Sequence, residues 1–174
     1  WEIDSEQGRL TFMSSSKIEG RPSPMVADVD NLRLHIGRRD VPQISTYKYD
    51  VTSGALTHHS DGPVLHSDPC YISLDKSKNY IFGAYYSAGG VSVNHVTDGV
   101  IDKEIDWIPT GFGAHCVMTD SSNKYVMLPH IAGEQGINTI RLYNFNVETG
   151  ALNPNNPETY DQKDNRGPRH FVFH

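Results

Sequence analysis

The chain has 174 residues, 37% of them hydrophobic and 21% charged, and a formal net charge of −6. That acidic balance argues against a nucleic-acid partner, because phosphate binding needs a basic surface. No apolar run approaches the roughly 18 residues of a membrane-spanning helix, so the sequence predicts neither a membrane helix nor a membrane partner.

Strand signals run through the whole chain. An alternating strand, a turn closed by glycine and a second strand recur at 1–10, 47–56, 93–100 and 143–152, turning at Gly8, Gly54, Gly99 and Gly150. These glycines are 46, 45 and 51 residues apart. A second element recurs in phase at 29–37, 74–82 and 119–127, a polar bend between strands in which Asp30, Asp75 and Asp120 are 45 residues apart. The aspartates are expected to cap tight turns through their own backbone rather than to hold a metal. The longer last glycine interval fits an enlarged loop over 130–138, expected to be a surface insertion, with a loop that belongs to the site as the alternative. No apolar stripe persists at helical spacing.

A period in the mid-forties with about four short strands per unit is the signature of a β-propeller blade. The expected fold is all-β. Residues 1–174 read as a fragment of a single β-propeller domain, a partial ring of slightly fewer than four blades from a seven-bladed propeller. A small complete propeller is the alternative. Cys70 and Cys116 fall in strand-like stretches of different blades and are expected to be free buried thiols of a reducing, cytoplasmic compartment. His58 and His59 read as an exposed pair in a turn. No His or Cys pair has zinc-site spacing, so no metal is expected.

Chemistry concentrates in three segments: 37–40, 111–116 and 166–174. A blade places its first strand along the central channel, and residues at the start of that strand converge at one mouth of the channel. The segments at 23–27, 68–73, 113–118 and 167–172 are the expected innermost strands. His115 and Arg169 then occupy equivalent positions in adjacent blades. A histidine can take a proton from water near neutral pH. An arginine offers a planar fork to a carboxylate or phosphate and can steady an oxyanion. Together they suit an anionic ester or lactone. Each also has a structural alternative, Arg169 pairing with an aspartate of a neighbouring blade and His115 bonding backbone between blades.

Six ordered motifs run over essentially the whole chain: Ser23-Pro-Met25, His35-Ile-Gly-Arg-Arg39, Ile72-Ser-Leu-Asp75, Tyr86-Ser-Ala-Gly-Gly-Val-Ser-Val93, Gly113-Ala-His-Cys116 and Gly167-Pro-Arg-His-Phe-Val-Phe-His174. In this order the set resembles the lactonase family of seven-bladed β-propellers, most closely its bacterial 6-phosphogluconolactonase branch. The resemblance implies hydrolysis of 6-phospho-D-glucono-1,5-lactone without any cofactor, His115 acting as catalytic base and Arg169 as anion and oxyanion partner. Arg38, Arg39 and His170, in the same motifs, are the candidate substrate-binding residues, and the implied partner is a small anionic lactone. A muconate-lactonising cycloisomerase of the same family is the runner-up, and a non-catalytic protein-binding propeller the third reading. The family also uses a Glu soon after the Pro-Arg-His strand and a further Arg later in the ring. Both are expected beyond His174. Where some members carry His before the Ile-Ser-x-Asp segment, this chain has Cys70-Tyr71, so the resemblance assigns that blade no site residue.

Overall fold

A computed structural model describes residues 1–131, 136–161 and 166–174. These residues form fourteen strands and no helix. A hairpin of β1 (Glu2–Asp4) and β2 (Arg9–Thr11) is followed by three four-stranded antiparallel sheets. The first sheet contains β3 (Pro22–Asp28), β4 (Arg33–Arg38), β5 (Gln43–Tyr49) and β6 (Leu56–Asp61). The second contains β7 (Tyr71–Leu74), β8 (Tyr80–Tyr85), β9 (Gly90–Thr97) and β10 (Val100–Pro109). The third contains β11 (Met118–Thr119), β12 (Tyr125–Pro129), β13 (Thr139–Phe145) and β14 (Leu152–Asp161). Each sheet is ordered as a meander, and its first strand is an edge that packs beside the first strand of the next sheet. These are the blades of a propeller, with β3, β7 and β11 innermost.

The repeating glycines close the outer hairpins. Gly8, Gly54, Gly99 and Gly150 have φ of 62°, 69°, 79° and 79°, a region that a side chain disfavours. Asp4, Asp50 and Asn146 cap three of these turns by accepting backbone N–H groups two and three residues on. The fourth is a two-residue turn in which Asp98 and Gly99 both have positive φ, as a tight hairpin demands.

The bends between first and second strands follow a phase slightly different from the expected one. The pairs Ala27↔Leu34, Leu74↔Ile81 and Thr119↔Val126 are equivalent, so Asp28, not Asp30, is the counterpart of Asp75 and Asp120. Each of the three accepts bonds from its own bend. The second and third bends also reach back to the blade before them. Lys78 pairs with Asp28 at 2.9 Å and with Asp30. Asn123, its equivalent, donates to Asp75 at 2.8 Å and accepts from the Lys76 N–H at 2.9 Å. All three aspartates therefore cap turns, and Asp28 and Asp75 also fix one blade against the next.

Apolar layers fill the spaces between blades. Strand β8 is buried at all six positions. By the period-two alternation of a strand, Tyr80, Phe82 and Ala84 face Val126, Leu128, Tyr143 and Phe145 of the third blade. Ile81 and Tyr85 face Ile44 and Leu65 on the other side. The outermost strands β6 and β14 are largely polar. His58 and His59 lie within β6 rather than in a turn, with His58 3.2 Å from Asp61. Residues 166–174 carry no strand assignment, against the expected innermost strand there. The connection over 130–138 has nine residues where 39–42 and 86–89 have four, which is the extra length expected there. Its positions 132–135 lie outside the described residues.

Two histidines are sealed inside this packing. His35 bonds Thr46 at 2.9 Å, and His130 bonds Thr110 at 2.7 Å and the Leu128 carbonyl at 3.1 Å. Burial drives both pKa values down from about 6.5 to about 4. A folded pKa below the unfolded value means that the neutral form stabilises the fold above pH 6.5. That contribution is lost as pH falls from about 6.5 to about 4, on the order of 1–3 kcal/mol per histidine. The urea midpoint of the full-length protein is expected to drop between pH 7 and pH 5. A level midpoint over that range would count against it.

Candidate active site

The loops that lead into the inner strands and those that follow the second strands meet in one cleft. Backbone bonds hold them together: the N–H groups of Thr110 and Gly111 donate to the Gly89 carbonyl, and the Gly113 N–H donates to the Tyr86 carbonyl. The chain then pairs Ala114 with His130, and the His115 N–H donates to the Pro129 carbonyl at 3.0 Å. His115 is thus held through its backbone to the end of β12. Gly89 makes this stitching possible. It has φ +67°, and a Cβ there would sit 2.5 Å from the carbonyl carbon of Gly111. Gly89→Ala is expected to destabilise the protein by about 2–4 kcal/mol and to lower activity along with it. Urea unfolding with a parallel activity assay checks this, and unchanged stability would refute it.

The cleft has a volume of about 310 Å³ and is lined by Arg39, Asp68, Cys70, Tyr86, Ser87, His115, Ile131 and Arg169. Of the sequence-predicted residues it brings together His115, Arg169 and Arg39. His170 stands beside them, its ring crossing that of His115 edge-to-face with centroids 4.9 Å apart. Arg38 is placed elsewhere, donating to the Gln43 side chain at 2.8 Å and lying 3.6 Å from Asp61. Consecutive residues leaving a strand point to opposite sides, so only one of the paired arginines turns to the cleft.

Arg169 Nε donates to His115 Nε2 at 3.2 Å. A guanidinium N–H can only donate, so Nε2 carries a lone pair and the ring proton of neutral His115 sits on Nδ1. That Nδ1 is buried and makes no hydrogen bond. Burial, and then the Arg169 charge, hold the His115 pKa below its ordinary 6.5, with smaller pushes from His170 and Arg39. At neutral pH the imidazole is therefore an uncharged base beside a cation. The thiols are unsuited to attack: burial pushes Cys70 up to about 11 and raises Cys116 as well. Both are free, and Cys116 is buried while Cys70 is half-buried. Among the described residues no cluster of three or more His, Cys, Asp or Glu could hold a metal ion.

Asp68, Tyr86, Ser87 and Ile131 were not marked by sequence reasoning as site residues. Tyr86 and Ser87 stand in a quoted motif, and Asp68 heads an expected inner strand. Their chemistry emerges only once the loops are joined. The blade carrying Cys70-Tyr71, to which the resemblance gave no role, supplies Asp68, Cys70, Tyr86 and Ser87.

A family model described as lactonase, 7-bladed beta-propeller, matches residues 1–174. The 6-phosphogluconolactonase of Enterobacter sp. (strain 638) is 30% identical over 174 residues, covering 100% of this chain and 50% of that protein. The 6-phosphogluconolactonase of Cronobacter sakazakii is 28% identical with the same coverage. The chain spans about half the length of these curated relatives. The solved structure of a periplasmic gluconolactonase from Pseudomonas aeruginosa superposes with a TM-score of 0.81 at 22% identity, over 98% of this chain and 53% of that one. At that identity the likeness speaks for the fold.

Proposed function

The chain belongs to the lactonase family of seven-bladed β-propellers, and we propose that in the full-length protein it supplies the cleft of a 6-phosphogluconolactonase, hydrolysing 6-phospho-D-glucono-1,5-lactone to 6-phosphogluconate in the pentose phosphate pathway. The observation that carries this reading is the neutral His115 with its Nε2 lone pair engaged by Arg169 in a cleft that also holds Arg39.

The anionic substrate draws the Arg169 guanidinium off Nε2 and toward the lactone. His115 Nε2 then takes a proton from water as its oxygen bonds to C1. The carbonyl oxygen becomes an oxyanion, which the Arg169 N–H groups stabilise. The tetrahedral centre collapses, the C1 bond to the ring oxygen breaks, and that oxygen receives the proton held by His115. Arg39 takes the phosphate, with His170 flanking it. Arg38, through Gln43 and Asp61, braces the end of β4 that carries Arg39. A lactone is already an activated ester, so the mechanism calls for no metal or organic cofactor.

No helix among the described residues is long and apolar enough to cross a membrane. We assign the cytoplasm as the compartment, a reading supported by the two free thiols. The test is a rate assay of the full-length protein on 6-phosphogluconolactone. Hydrolysis above the spontaneous background is expected, and a rate equal to it would reject the function.

A further inference from the structure

Among the described residues that line the cleft, Asp68 is the one carboxylate. Its Oδ1 accepts a hydrogen bond from the Ser67 hydroxyl at 3.2 Å, and its Oδ2 lies 3.8 Å from Arg39 Nε, outside hydrogen-bond range. A carboxylate offers about four lone-pair sites, so most of its accepting capacity faces the cleft unused. The side chain is 41% exposed. A half-exposed ion pair at that distance contributes little stability, so holding Arg39 does not account for the residue.

The rest of the lining explains what an acceptor would do here. Arg39 and Arg169 only donate hydrogen bonds, and the His115 lone pair is occupied by Arg169. Ser87 can both donate and accept. A ligand rich in hydroxyl donors therefore finds, among the described lining residues, its strongest acceptor at Asp68. The position is also rigid. Asp68 precedes Pro69, which is buried, and a Cβ at Gly37 would meet the Pro69 ring at 3.0 Å. Close packing against the neighbouring blade holds the backbone that aims the carboxylate.

We propose that Asp68 is a specificity-determining residue that accepts hydrogen bonds from ring hydroxyls of the substrate, so that the cleft selects polyhydroxylated lactones over bare ones. The inference rests on the lactone-hydrolase reading above. It goes beyond that reading by naming the part of the substrate that is recognised apart from its charge.

The experiment measures kcat/KM of the full-length protein for three probes: 6-phosphogluconolactone, glucono-1,5-lactone, and δ-valerolactone, which has the same ring without hydroxyls. The decisive quantity is the preference for glucono-1,5-lactone over δ-valerolactone. Asp68→Asn is expected to lower that preference about 10-fold and Asp68→Ala up to about 100-fold, the range for hydrogen bonds to a charged acceptor. An unchanged preference in both variants overturns the proposal. A loss confined to the phosphorylated lactone also overturns it, since Asp68 would then act only through Arg39. If the unsubstituted protein turns over none of the probes, the lactone-hydrolase reading itself falls, an outcome distinct from a fault in Asp68.

Discussion

His115→Ala in the full-length protein is expected to lower kcat for lactone hydrolysis by about 10²- to 10⁴-fold, the usual contribution of a positioned general base. The backbone of His115 is secured by its bond to Pro129 and by the stitched loops around it. The truncation therefore removes the imidazole without dissolving the segment, and KM should change far less than kcat. The pH profile carries a second signature. The working form of His115 is neutral, and burial and Arg169 hold its pKa below 6.5. Activity is therefore expected to be level at neutral pH and to fall on the acid side, with the midpoint of that limb below 6.5. Near-native turnover in His115→Ala, or an acid limb centred above pH 7, would remove His115 from the chemistry.

The propeller was legible because its turns need particular residues. A glycine closes each outer hairpin, and an aspartate ends each inner strand, so both recur at the period of the blade. The assignment of Asp30 to that series shows the limit. Asp28 and Asp30 are two residues apart, and spacing alone favours Asp30 because 45 recurs exactly twice that way. Cross-strand register decides for Asp28, and register depends on pairings that a linear pattern does not display. His58 and His59 looked like a turn because an outermost strand can be polar on both faces. Residues 166–174 alternate like a strand, but a strand also needs a partner backbone to bond to. The meeting of His115 and Arg169 was legible from equivalent offsets within the repeat. Asp68, Tyr86 and Ser87 were not, since ordinary loop residues gain chemical meaning only when backbone bonds between separate loops gather them around one cleft. Arg38 and Arg39 were both read as substrate-binding, and only the side of the strand end that each one leaves puts Arg39, not Arg38, at the cleft.

Arg169→Ala is expected to lower kcat/KM about 10²- to 10³-fold, as the loss of an oxyanion donor does elsewhere, and Arg169→Lys is expected to recover little of it. Lysine keeps the charge but lacks the planar fork that can release His115 and engage two oxygens at once. The two variants should separate in their pH profiles. Arg169 is the largest charge-based influence on His115, second only to burial, and it pushes the pKa down. With alanine that push disappears, so the acid limb moves to higher pH while burial still keeps it below the ordinary histidine value. With lysine the positive charge remains and the limb stays near its original position. A purely structural arginine would give equal limbs in both variants and a loss of activity that tracks a loss of stability. An acid limb that moves in Arg169→Ala, stays in Arg169→Lys, and accompanies a large fall in kcat/KM at unchanged urea midpoint is the pattern that only direct contact with the base produces. Two variants with native kcat/KM, or an unmoved limb in Arg169→Ala, would show that the 3.2 Å contact with His115 has no part in the reaction.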